Sequence, residues 1–123
     1  MSNPSPEILK EKAAMWFHAF NIKDLDLLLS LYHKDAQHYS PKLKIKKPYT
    51  KGLIQGKKAL KDWWAGAFES MPQLHYKVLN IMSDESHVFM EYLRHNPGEE
   101  DMQVGEVLHF EDGLIVFSRV YHS

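Results

Sequence analysis

Eight histidines and one carboxylate set among apolar neighbours are the residues of this 123-residue chain best suited to chemistry. In Val104-Gly105-Glu106-Val107-Leu108-His109-Phe110, two-residue alternation places Val104, Glu106, Leu108 and Phe110 on one face of a strand. A carboxylate there is costly unless it is hydrogen-bonded, protonated or open to water. If that face is inward, burial raises the pKa of Glu106 and makes it a proton donor near neutrality. If it is outward, Glu106 is an ordinary solvated charge. His33, His38, His75, His87, His95, His109 and His122 fall in or beside predicted strands, and His18 on the first predicted helix. Imidazole titrates near neutrality and ligates metals. No two histidines form the one-turn pair of a helical zinc site, and no loop has calcium-ligand spacing, so no metal or other cofactor is expected. A structural or surface role is the ordinary one for any single histidine.

Aromatic and basic residues offer two further candidate features. Trp16, Phe17, Trp63, Trp64 and Phe68 could stack on an aromatic or polycyclic ligand, although aromatics at helical spacing more often fill a core. Adjacent Trp63 and Trp64 point about 100° apart on a helix, which predicts different environments for the two. Lys42, Lys44, Lys46, Lys47 and Lys51 crowd the segment around Pro41 and Pro48. They form either an anion-attracting rim or a solvated loop. A formal net charge of −1 favours the loop.

The elements that must position these groups change period near Pro72. Ser5 is a helix cap with Pro6 at the first helical position, and Leu9, Ala13, Trp16, Phe17 and Phe20 form one stripe that ends near Asn21. Asp24 caps a second helix with the stripe Leu25, Leu28, Leu29 and Tyr32. Leu60, Trp63, Trp64, Ala67 and Phe68 mark a third, closed by Met71-Pro72. Beyond Pro72, strands are predicted from Leu74 to Met82, His87 to His95, Met102 to Phe110 and Leu114 to His122, the last two joined by Asp112-Gly113. A short strand, about Ala36 to Ser40, follows the second helix. Helices first and a meander second describe an α+β fold: a curved antiparallel sheet with three N-terminal helices on one face, leaving a pocket between them.

Composition bounds the function. The chain reads as a single domain over residues 1–123. A hydrophobic fraction of 44% with 12% aromatics supports a core and excludes intrinsic disorder. Near-balanced charge argues against nucleic acid or an anionic membrane surface as partner. No apolar run approaches the ~20 residues of a membrane span, and no secretory signal is evident, so a cytoplasmic location is expected. With no cysteine there is neither a thiol nucleophile nor a disulfide.

Asp35-Ala36-Gln37-His38-Tyr39-Ser40-Pro41, Ile54-Gln55-Gly56-Lys57-Lys58-Ala59-Leu60 and the closing hairpin from Glu106 to His122 resemble the nuclear transport factor 2-like superfamily. Its members include SnoaL-like polyketide cyclases and ketosteroid isomerases. The resemblance spans nearly the whole chain and implies a cone-shaped, cystatin-like α+β fold that is usually a homodimer. Its outer sheet face, with Val107 and Leu79, would then be buried in a partner. Transferred position by position, the isomerase's catalytic base falls on Ser40, which cannot abstract an α-proton unaided. Its oxyanion-hole tyrosine falls on Trp16, its supporting tyrosines on Tyr32 and Trp64, its protonated acid on Glu106 and a pocket tryptophan on His122. Steroid isomerisation is therefore not the primary reading.

The resemblance instead implies a constellation of Glu106 as acid or orienter with His38 or His122 as base. The implied pocket wall comprises Trp16, Tyr32, Ser40, Trp64, Met90, Tyr92, Leu108, Ser118 and Val120. The expected ligand is a small hydrophobic molecule, turned over without a cofactor by cyclisation, isomerisation or dehydration. The alternative is a non-catalytic ligand-binding or dimerisation module.

Overall fold

A computed structural model describes residues 3–122. The chain forms α1 (Pro6–Asn21), α2 (Leu25–Ser30), β1 (Tyr32–Tyr39), α3 (Pro41–Lys46), β2 (Leu53–Gln55), α4 (Lys57–Ser70), β3 (His75–Ser83), β4 (His87–His95), β5 (Met102–Glu111) and β6 (Leu114–His122). Ser5 Oγ accepts from Ile8 N at 3.3 Å, and Asp24 Oδ1 accepts from Leu27 N at 3.0 Å, so both predicted caps start their helices. Leu9, Ala13, Trp16, Phe17 and Phe20 are all buried, as their spacing requires.

The six strands form one sheet in the order β2-β1-β6-β5-β4-β3. The last four pair as the antiparallel meander expected from their sequence. Strand β1 departs from it by pairing parallel to β6, which closes the start of the chain onto its end. Two-residue alternation cannot foretell this, because it reports which face a residue takes and not which strand lies beside it.

Three further local departures have physical causes. Helix α3 stands where a solvated loop was expected: Ser40 caps it, Pro41 opens it and Leu43 is fully buried. That Ser-Pro start repeats the one before α1, but the lysines around it obscured the signal. Tyr32 continues the leucine stripe of α2 in sequence but is the first residue of β1, since α2 ends at Ser30. In β3 the register shifts between Val78 and Asn80, leaving Val78 and Leu79 both exposed and turning Ile81 towards the core.

The concave face of the sheet, α1 and α4 enclose the core, which contains Trp16, Tyr32, Tyr92 and Phe110. No described helix is long and apolar enough to cross a membrane.

Candidate functional site

Cross-strand register arranges the inward side chains in rows. His38, Ser118, Leu108 and Val88 form one row, and Val120, Glu106 and Met90 the next. His122, Val104 and Tyr92 form a third, beyond which Arg94 faces Met102 and Tyr76. The β5–β6 irregularity lies between His109 and Phe110, so alternation from Val104 to Leu108 is undisturbed. Glu106 is consequently inward and 1% exposed. The outward alternative is eliminated.

A cavity of about 60 Å³ remains between these rows and the helices. His38, Ser40, Glu106 and His122 reach it from β1, the cap of α3, β5 and β6 respectively, with Val120 beside them. Trp16, Phe20, Trp63, Trp64, Tyr76 and Tyr92 supply its aromatic surface, and Lys42 and Arg94 add positive charge. Of the residues expected in the wall, Trp16, Ser40, Trp64, Tyr92 and Val120 line the cavity together with the three proposed catalytic groups. Tyr32, Met90, Leu108 and Ser118 do not: each is buried behind the lining. Their strand faces are as expected, and the rows of Met90, Leu108 and Ser118 also hold lining residues, but all four side chains are fully packed within the core. Trp63 and Trp64 both reach the cavity despite their angular separation, Trp64 as a buried residue and Trp63 as a half-buried one.

A directed hydrogen-bond chain fixes His38. Trp16 Nε1 donates to Tyr32 Oη at 3.1 Å, and Tyr32 Oη donates to Ser118 Oγ at 3.1 Å. Ser118 Oγ lies 2.6 Å from His38 Nδ1. Ser118 Oγ accepts from Tyr32 and keeps a proton of its own that can go to Nδ1. His38 is then neutral with its proton on Nε2. Burial agrees, holding its pKa down to about 3. The same chain occupies the Trp16 N–H, so Trp16 contributes surface to the cavity and not an oxyanion donor.

Glu106 has the opposite character. Tyr92 Oη donates to Oε1 at 2.7 Å, whereas the buried Oε2 has no hydrogen-bond partner among the described residues. Burial pushes its pKa up to about 7, the Tyr92 hydrogen bond pulling partly the other way. In the protonated form Tyr92 occupies Oε1, which leaves Oε2 as the oxygen able to carry the proton. Tyr76 and Tyr92, stacked with ring centroids 4.2 Å apart, are held protonated first by burial and then by the Glu106 charge.

Glu106 and His38 do not touch. Strand β6 runs between β5 and β1, so the two side chains converge only through the cavity. Ser40, at the position of the isomerase base, accepts from Lys42 N at 3.2 Å as the cap of α3. No three histidines or carboxylates among the described residues are grouped to hold a metal ion. The sequence reading missed Arg94 as a cavity residue, although β4 alternation through Val88, Met90 and Tyr92 carries it to the same face.

Comparison with known proteins follows this geometry. A SnoaL-like protein of unknown function from Burkholderia thailandensis superposes with a TM-score of 0.87 at 23% identity, over 97% of each chain. A protein of unknown function with a cystatin-like fold from Methylobium petroleophilum gives 0.82 at 16% identity, over 100% of this chain and 80% of its own. A provisionally named ketosteroid isomerase from Kribbella flavida gives 0.78 at 16% identity, over 96% and 79%. No curated protein matches the sequence significantly. The SnoaL-like domain family matches residues 13–118, and with the fold described above this chain belongs to that family.

Proposed function

We propose that the cavity binds a small, largely apolar carbonyl compound and polarises it for cofactor-free proton transfer. Glu106 carries the reading: a fully buried carboxyl with one oxygen lacking a hydrogen-bond partner among the described residues, at a cavity wall. Protonated Glu106 donates to the carbonyl oxygen, and the His38 Nε2–H is a second donor facing the same space. His38 is thereby an electrophile and not a base. The base role falls to His122, a cavity-lining imidazole at the end of β6. Cyclisation, isomerisation and dehydration share this enolisation step.

Deuterium exchange at the α-carbon of butanone, followed by NMR, tests the reading. Exchange is expected to run faster with the protein than in buffer, to fall as pH rises through about 7 and to be lost in Glu106→Leu. Saturable butanone binding without accelerated exchange would establish the alternative, a binding module. Ser40 favours that alternative, because the position of the isomerase base is occupied by a helix cap.

The outward face of the sheet supports a homodimer. Met82, Phe89 and Val107 lie in one outer row, with Tyr121 nearby at 53% exposed. Phe89 covers Gly105 so closely that an added Cβ would lie 3.1 Å from its ring. A second copy would cover these outward side chains.

A further inference from the structure

Building on the cavity as a ligand site, we propose that the ligand is a short organic acid, with its carboxylate held by Arg94 and Lys42 and its apolar body against Trp63, Trp64 and Met71. Arg94 is the next inward residue of β4 beyond Tyr92, and its side chain is only 5% exposed. Its guanidinium has five N–H donors. Among the described residues its one oxygen partner is Glu99 Oε1, 3.1 Å from Nη1. Nη2 meets the Met71 thioether at 3.2 Å, a weak acceptor beside a cation built for bidentate carboxylate contact.

Lys42, in the first turn of α3, lines the same cavity. Arg94 and Glu99 both act on its charge, which places all three groups in one electrostatic neighbourhood. Among the described residues, Lys42 and Arg94, with Lys46 also acting on Lys42, are offset there by the half-exposed carboxylate of Glu99, leaving an excess positive charge beside apolar surface. A buried guanidinium incompletely matched by oxygen is costly, and an arriving carboxylate supplies the missing acceptors.

Size and spacing narrow the class. A cavity of about 60 Å³ is well below the ~150 Å³ that accommodates benzene, which selects a short chain over a polycycle. Met90, the cross-strand partner of Glu106, precedes Arg94 by four residues, or about 13 Å of strand. The long arginine side chain shortens that reach. An acid held at Arg94 therefore presents a group several bonds from its carboxylate to Glu106.

The test titrates butanoate and butanamide, equal in shape and different in charge, while following the tryptophan indole N–H signals. Butanoate should bind saturably, with the amide at least roughly tenfold weaker. Lys42→Met and Arg94→Met should each bring butanoate down towards the amide. Lys42 lies on a six-residue surface helix, so Lys42→Met keeps the test valid if Arg94→Met fails to fold. Glu106→Gln should retain the preference for butanoate, which separates anion recognition from the proposed proton transfer. Equal affinity for the two probes, or a preference that survives Lys42→Met in full, would overturn the acid as ligand while leaving the cavity reading intact. Absence of any shift with either probe would overturn both.

Discussion

At the scale of single residues, the site depends on two buried groups whose protonation is displaced in opposite senses. Glu106 moves from 4.5 to about 7, so the folded protein retains a proton that the unfolded chain releases. The stability associated with that proton is fully present below pH 4.5 and is lost as pH rises through about 7. Glu106→Gln carries no such dependence. Urea unfolding should show the variant gaining about 3 kcal/mol on the wild type between those two pH values. His38 moves from 6.5 down to about 3, so its contribution is present above pH 6.5 and lost towards pH 3. Tyr92→Phe removes the hydroxyl that partly offsets burial at Glu106, and carbon-detected NMR should find the Glu106 carboxyl titrating at still higher pH. Ser118→Ala breaks the relay between Tyr32 and His38. Two buried polar groups then lose their partner, at a cost of about 1–3 kcal/mol in chemical denaturation.

At the scale of elements, the last residue of α1 adds a polar tie to the sheet beside its buried apolar stripe. Asn21 Nδ2 donates to Tyr76 O at 2.9 Å, and Asn21 Oδ1 accepts from Tyr76 N at 2.9 Å. The amide thus substitutes for a neighbouring strand at the start of β3. Tyr76 in turn stacks on Phe20, with centroids 4.1 Å apart, and lines the cavity. Asn21→Ala should cost about 2 kcal/mol and speed hydrogen exchange at Tyr76 more than at Leu108 in the centre of the sheet. The same local logic accounts for α3. A capped Ser-Pro start and one buried leucine form a helix only long enough to carry Lys42 to the cavity.

At the scale of the whole molecule, a sheet covered by helices and filled with bulky side chains leaves little empty space. Trp16, Tyr32, Tyr76 and Tyr92 pack between the helices and the sheet, and the cavity left beside them is about 60 Å³. Ala67, half-buried on α4, lines that space. Ala67→Leu should abolish butanoate shifts while leaving the midpoint of thermal unfolding nearly unchanged, since it fills a cavity and displaces no packed side chain. Assembly belongs to this scale as well. Sedimentation equilibrium should report twice the 14.4 kDa chain mass, and Val107→Glu on the outer sheet face should return the monomer.

Sequence patterns determined the facing of residues. Alternation in β5 turned Glu106 inward, and alternation in β4 and β6 put Tyr92 and His122 on the same face. Helical spacing likewise buried Trp16 and Trp64. These are local properties, set by a strand period of two and a helix period of 3.6, and local order is enough to read them. Which inward residues meet empty space was not local. Met90 shares a row with Glu106, and Leu108 shares one with His38, yet neither lines the cavity, and no periodicity separates the two outcomes. The parallel junction of β1 with β6 brought Ser118 to His38 across 80 positions of sequence and thereby gave one ring nitrogen its hydroxyl partner. Chemistry at this site is a matter of long-range register: alternation made an acid at Glu106 possible, and only tertiary closure decided which groups it faces.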